Sequence, residues 1–160
     1  MLEQLQAVIV SRISSDPLLS GALSNNQKPI PIITELKDDI TQAIALAIDS
    51  VGICVLVLTP TFEFFNELVY SFGGWALISL TVFENVSANQ TVQGTGIRSI
   101  LLAQRLILLL HHWPHGLFVG DISLEPTGPN IIALRRPLEM TSEGPPLQYT
   151  VNFKAHVQLV

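Results

Sequence analysis

Hydrophobic positions along the chain follow two different periods, and the changes between them mark the elements. Leu2, Leu5, Ile9 and Ile13 recur at spacings of three and four, which predicts a short amphipathic helix ended by Ser14, Ser15, Asp16 and Pro17. Gly21, Asn25, Asn26, Pro29 and Pro31 are turn residues, so Ser20 to Pro31 reads as a loop. A second helical pattern follows. Thr34 is expected to cap it, Glu35 suits its positive first turn, and Leu36, Ile40, Ala43, Ile44, Ala47 and Ile48 form its apolar stripe. Lys37, Asp38, Asp39 and Gln42 are expected to face water.

After Gly52 the period changes. Ile53 to Leu58 is apolar on both faces, as a central strand is, and Thr59 and Pro60 close it. Thr61 to Tyr70 is aromatic-rich and reads as a further strand. Gly73 and Gly74 mark a turn, and Trp75 to Glu84 reads as a strand with Ile78, Leu80 and Val82 on one face. The polar stretch Asn85 to Gly94 is expected to be an ordered loop.

Gly96 to His111 reads as a helix of about sixteen residues, about 24 Å long. Arg98 and Arg105 share one face, and Leu102 and Leu109 lie on that same face, so the helix is apolar nearly all round. Such a helix is normally buried on more than one side. Trp113, Pro114 and Gly116 stop it. Val119 to Glu125 and Asn130 to Leu138 read as two strands with Pro126, Gly128 and Pro129 between them, and Glu139 to Gln148 reads as an exposed loop. From Tyr149 to Leu159 the alternation is nearly unbroken, placing Tyr149, Val151, Phe153, Ala155, Val157 and Leu159 inward. The pattern predicts a single α+β domain over residues 1–160, a mixed or antiparallel sheet with two or three helices packed on it.

Composition sharpens this picture. Of 160 residues, 48% are apolar and only 13% charged, where soluble domains carry about 25% charged residues. The surplus apolar surface needs a membrane or a subunit interface to cover it. A spanning helix needs about twenty predominantly apolar residues. Ala43 to Leu58 is interrupted by Asp49, Ser50 and Gly52, and Ile100 to Leu110 is too short and contains Gln104 and Arg105, so no membrane segment is expected and the interface is favoured. Met1 to Val10 carries Glu3 and no basic residue, which is not the pattern of a secretory signal.

The formal charge of −5 argues against a chain that wraps nucleic acid. It is unevenly spread, with eight acidic and three basic residues in the first eighty positions and five of each in the rest. Cys54, the one cysteine, lies in an apolar run and reads as a buried hydrophobe.

No motif for turnover emerges. His111, His112 and His115 bracket Trp113 and Pro114 at spacings that do not place two imidazoles on one helical face, so a helix end is the expected reading and no metal site is. Gly94, Thr95 and Gly96 precede a helix without a P-loop lysine, and no Gly-x-Ser-x-Gly occurs. Asp38 with Asp39, and Glu63 with Glu67, are expected on solvated faces, as is at least one of Arg135 and Arg136. Neither an enzyme nor a cofactor is expected.

From Ala76 to Val160 the chain resembles the tail-terminator or minor tail (tail completion) proteins of tailed bacteriophages. The likeness lies in the strand ending Val82-Phe83-Glu84-Asn85, then a polar loop with Asn89 and Gly94-Thr95-Gly96. A long apolar helix follows, ending Leu110-His111-His112-Trp113-Pro114, and a strand pair leads to a long alternating strand. The resemblance implies a small structural subunit assembled as a homohexameric ring at the head-proximal end of the virion's tail, after assembly in the host cytoplasm. It implies contacts with the tail tube protein and with a head-completion or connector protein, stopping tube growth without turnover. On this reading ring contacts are expected around Arg98, Leu102 and Arg105. Axial contacts are expected in the loops holding Asn85, Asn89 and Gln90, and Glu139 and Glu143. Another head-tail connector or tube subunit is the alternative, and a small-molecule binding or hydrolytic domain is the alternative from a different class.

Overall fold

The computed structural model of the chain describes residues 2–21, 28–35, 39–64, 73–91, 94–114, 124–133 and 147–158. Helix α1 (Leu2–Ser14) buries Leu5, Ile9 and Ile13, the predicted stripe, with Leu2 half-buried at its start. Gln6 is buried beside them because its side-chain amide donates to the Val57 carbonyl at 2.9 Å, an amide contact that fastens the helix to the sheet.

The second helix begins later than its sequence pattern suggests. Ile32–Thr34 is a short strand, β1, and α2 spans Ile40–Val51. Thr34 therefore pairs in a sheet instead of capping a helix. The cap is Asp39, whose carboxylate accepts from the Gln42 amide at 3.2 Å. Leu36, Lys37 and Asp38 lie outside the described residues. At its other end α2 closes on Gly52, whose φ of 85° suits glycine and whose N–H donates to the Ile48 carbonyl.

The chain then enters β2 (Ile53–Val57), buried at every position as predicted. It is followed by β3 (Thr61–Phe64) and the long β4 (Gly73–Glu84). Residues 65–70 of the predicted third strand lie outside the described residues. A two-residue pairing of β5 (Gln90–Thr91) with β6 (Gly94–Thr95) folds the polar loop back on itself, and α3 spans Ser99–Leu110. Then come β7 (Leu124–Ala133) and β8 (Leu147–Gln158), so Leu147 and Gln148 belong to a strand where a loop was expected.

The sheet runs β1-β2-β4-β8-β7, with β3 also paired to β4. It is mixed: β1 runs parallel to β2 across the α2 connection, and the other pairings are antiparallel. β2 and β3 occupy successive stretches of one edge of β4, facing Leu80 to Glu84 and Gly74 to Leu77 respectively. The two strands expected before and after Pro126-Gly128-Pro129 form one edge strand with an irregularity. Between Pro126 and Ile131 its partner advances only from Phe153 to Val151, so the proline-rich stretch bulges out of the ladder. Prolines, lacking an amide donor, are tolerated at such an edge.

Helices α1 and α3 cover one face of the sheet and α2 part of the other. On the first face Leu102, Leu106 and Leu110 of α3 meet Val55, Leu80, Val82, Val151 and Phe153, and α1 closes the side. Each fully buried leucine contributes roughly 1.5–3 kcal/mol. On the second face Ala47 and Ile48 meet Ile33, Cys54, Leu56 and Phe83. The fold is α+β with three helices among the described residues. Within them no helix is long and apolar enough to cross a membrane.

Candidate functional site

Helix α3 carries the residues on which the sequence places the most weight, and two buried carboxylates hold it in place. At the end of β4 Glu84 is completely buried. Its Oε1 accepts from Asn89 Nδ2 at 3.0 Å and from Arg98 Nε at 2.9 Å, and its Oε2 accepts from the Ser99 amide at 2.8 Å and the Ser99 hydroxyl at 2.5 Å. Arg98, the residue before the first turn, supplies no side-chain cap of its own. A carboxylate from a neighbouring strand instead takes up the first helical amide, at the end where the dipole favours negative charge.

The loop between them is drawn into the same arrangement. Asn89 is buried and also donates to the Ile97 carbonyl at 2.7 Å, while its own carbonyl accepts from the Gly96 amide. Asn85 receives the Ser87 and Ala88 amides on its side-chain oxygen, and its amide donates to the Gly52 carbonyl. Close approach demands glycine twice: a Cβ on Gly96 would lie 2.1 Å from Asn89 Oδ1, and one on Gly52 would lie 2.3 Å from the Asn89 amide nitrogen. Asn89 is thus an internal strut and not a docking side chain. Gln90 is exposed and Asn85 half-buried, while Glu139 and Glu143 lie outside the described residues.

Further along α3, Arg105 reaches the segment after α1. Its Nε and Nη2 donate to Asp16 Oδ2 at 3.2 and 2.6 Å, and the Leu18 amide donates to Oδ1 at 3.0 Å. Burial pushes the Asp16 carboxyl up, but the Arg105 hydrogen bonds, the Leu18 amide and the guanidinium charge outweigh it and hold the group below its usual range. The same pair raises Arg105.

The expected ring face is therefore inverted in part. Leu102 is fully buried in the core and offers nothing to a neighbour, because the side of α3 it occupies turns toward the sheet. Arg98 and Arg105, at 41% and 39% side-chain exposure, stand at the border of that side and grip the chain's own carboxylates. The outward face instead presents Leu101 and Leu108, 56% and 74% exposed and one heptad apart, with exposed Gln104 between them. Their spacing was visible in the sequence. A helix rich in leucine nearly all round leaves several of them eligible for the outer face, and the donors that bury Glu84 and Asp16 stand apart from them in sequence.

The remaining candidates are chemically quiet. Cys54 is buried and its thiol is pushed up to about 12 by desolvation, as suits an inert core residue. His111 and His112 are exposed with ring centroids 3.9 Å apart, and Arg12 stacks 5.6 Å from the centre of the half-buried Trp113. Glu63 is exposed on β3; His115, Glu67, Arg135 and Arg136 lie outside the described residues. Among the described residues no group of three or more His, Cys, Asp or Glu side chains is placed to hold a metal ion. What the arrangement offers is a rigidly mounted helix with an apolar outer face. The sequence matches no protein-family model and no curated protein.

Proposed function

We propose that the chain is a structural subunit of a tailed bacteriophage, a tail terminator whose copies form a hexameric ring on the tail tube, stop its growth and offer the head a joining surface. One observation carries the assembly part of this reading: Leu101 and Leu108 stand exposed on the outer face of a helix whose inner face is completely buried. Two leucines at that spacing form a seam suited to another protein surface and ill suited to water. The tail assignment rests on the resemblance of Ala76 to Val160. The low charge content, at 13%, agrees with a subunit that buries more than one surface in its assembly. Its work is binding and not turnover.

Imaging of particles assembled without this protein tests the reading. Overlong tails lacking heads are the expected result. Normal-length tails joined to heads would overturn it, and headless tails of normal length would move the protein to another head-tail connector.

A further inference from the structure

The outer faces of α2 and α3 carry stripes of the same spacing and complementary character. Along α2 and its cap, Asp39, Gln42, Leu46 and Asp49 lie at intervals of three, four and three residues, all exposed, with Leu46 61% exposed. Along α3 and the residue before it, Arg98, Leu101, Arg105 and Leu108 repeat those intervals, with the leucines exposed and the arginines half-exposed. Intervals of three and four keep all four positions on one side of a helix. The first stripe is acidic around a leucine and the second pairs arginines with leucines. The two helices pack on opposite faces of the sheet, α2 against Cys54, Leu56 and Phe83, α3 against Val55, Leu80 and Val82. No single chain can therefore bring its own two stripes together.

We propose that α2 of one copy docks antiparallel on α3 of the next, a head-to-tail contact that uses two different surfaces of each chain. In this register Asp49 meets Arg98, Leu46 meets Leu101 and Gln42 meets Arg105. The alternative parallel register would set Leu46 against Arg105, so the antiparallel one is chosen by matching chemistry as well as by opposed helix dipoles. A guanidinium has five donors in a planar fork, so an arginine that grips an internal carboxylate can still present outward N–H groups to a second one. Such a contact is heterologous and propagates from copy to copy until a ring closes. The inference rests on the ring reading above in taking a second copy as the partner.

Two facing helices of twelve residues form a strip about 18 Å long, well short of the roughly 800 Å² per partner of a stable standard-size interface. The isolated pair is accordingly short-lived, and closure of several copies or a common support holds it. Covalent trapping of the full chain suits a contact of this strength. Cys54 is buried and stays silent. A chain carrying both Leu46→Cys and Leu101→Cys, oxidised mildly, is expected to give a ladder of disulfide-linked dimers, trimers and higher species. An equal mixture of the two single variants is expected to stop at dimers, forming at least tenfold faster than with Gln90→Cys, an exposed control, in place of Leu101→Cys. Asp49→Arg, which sets like charges opposite Arg98, is expected to slow trapping several-fold.

Trapping at the control rate, or either single variant trapping with itself as fast as the mixture, overturns the contact. Background trapping together with headless overlong tails in particles lacking the protein would overturn the contact and leave the terminator reading standing. A full ladder together with normal particles would do the reverse.

Discussion

Glu84 and Asp16 are both buried carboxylates gripped by a half-exposed arginine of α3, yet they do different work. Glu84 collects donors from three consecutive parts of the chain: Asn89 in the loop, Arg98 before the helix and Ser99 in its first turn. Three of its four hydrogen bonds come from uncharged groups. Asp16 depends on one side chain, Arg105, with the backbone amides of Leu18 and Leu19 behind it. The first arrangement fixes where α3 begins, and losing it would orphan several buried donors together. The second ties the middle of α3 to the segment after α1 and is a charge contact that protonation can open. Burial alone does not rank such sites. What ranks them is how many other groups would be left unsatisfied.

The largest expected effect comes from breaking the first. Glu84→Ala removes the acceptor of the Ser99 amide and one of the two acceptors of the Asn89 side chain, and leaves Arg98 without its partner. Leaving a buried donor without an acceptor costs about 1–3 kcal/mol, so with several affected together the melting temperature of a chain of this size should fall by about 10 °C. Thermal unfolding followed by circular dichroism checks this. A fall of less than about 2 °C would mean that water replaces the lost acceptor and that the two carboxylates are more alike than their partners suggest.

Next comes an attack on the same arrangement from behind. Gly52 adopts φ +85°, and an added Cβ would press on the Asn89 amide nitrogen and Cα, which are backbone and cannot swing aside. Gly52→Ala is expected to cost roughly 2 kcal/mol by denaturant unfolding. Because it displaces Asn89, its effect should add incompletely to that of Glu84→Ala. Full additivity would show that Asn89 does not link the two.

How much of this was legible depended on whether a feature carried its own period. Leu5, Ile9 and Ile13 in α1, and Val151, Phe153 and Ala155 in β8, were readable because each element has one buried side and the repeat reports it. Strand β1 was not, since three residues are too few to show a period and its pairing partners, Val55 to Val57, lie across an intervening helix. The cap of α2 was misplaced for a related reason. Thr34 and Asp39 are equally good capping types, and only the strand pairing of Thr34 decides between them. The candidate site was the least readable part. The sequence does not show which groups pair with Glu84 and Asp16, because their donors lie 15 and 89 positions away. The resemblance leads to ring contacts around Arg98, Leu102 and Arg105, whereas those carboxylates turn Leu102 into the core and leave Leu101 and Leu108 outward.

The smallest effect separates the two carboxylates by pH. Asp16 titrates below its usual range in the folded chain, so in that range the unfolded chain binds more protons than the folded one. The stability it contributes is therefore fully present above the ordinary carboxylate pKa of about 3.9 and is lost as pH falls through the lower folded value. Arg105→Ala removes the main cause of that depression, and water can then reach the carboxylate through the space vacated by a half-exposed side chain. Its cost at neutral pH is accordingly modest, about 1–2 kcal/mol. That cost should shrink as pH falls, because protonating Asp16 dissolves the ion pair in the parent and leaves the variant less to lose. Unfolding midpoints for parent and variant between pH 7 and about 3 should converge toward the acid end. A gap that stays constant across that range would show that Arg105 acts by packing its methylenes on the segment after α1, and that the contact between α3 and Asp16 is not a charge contact.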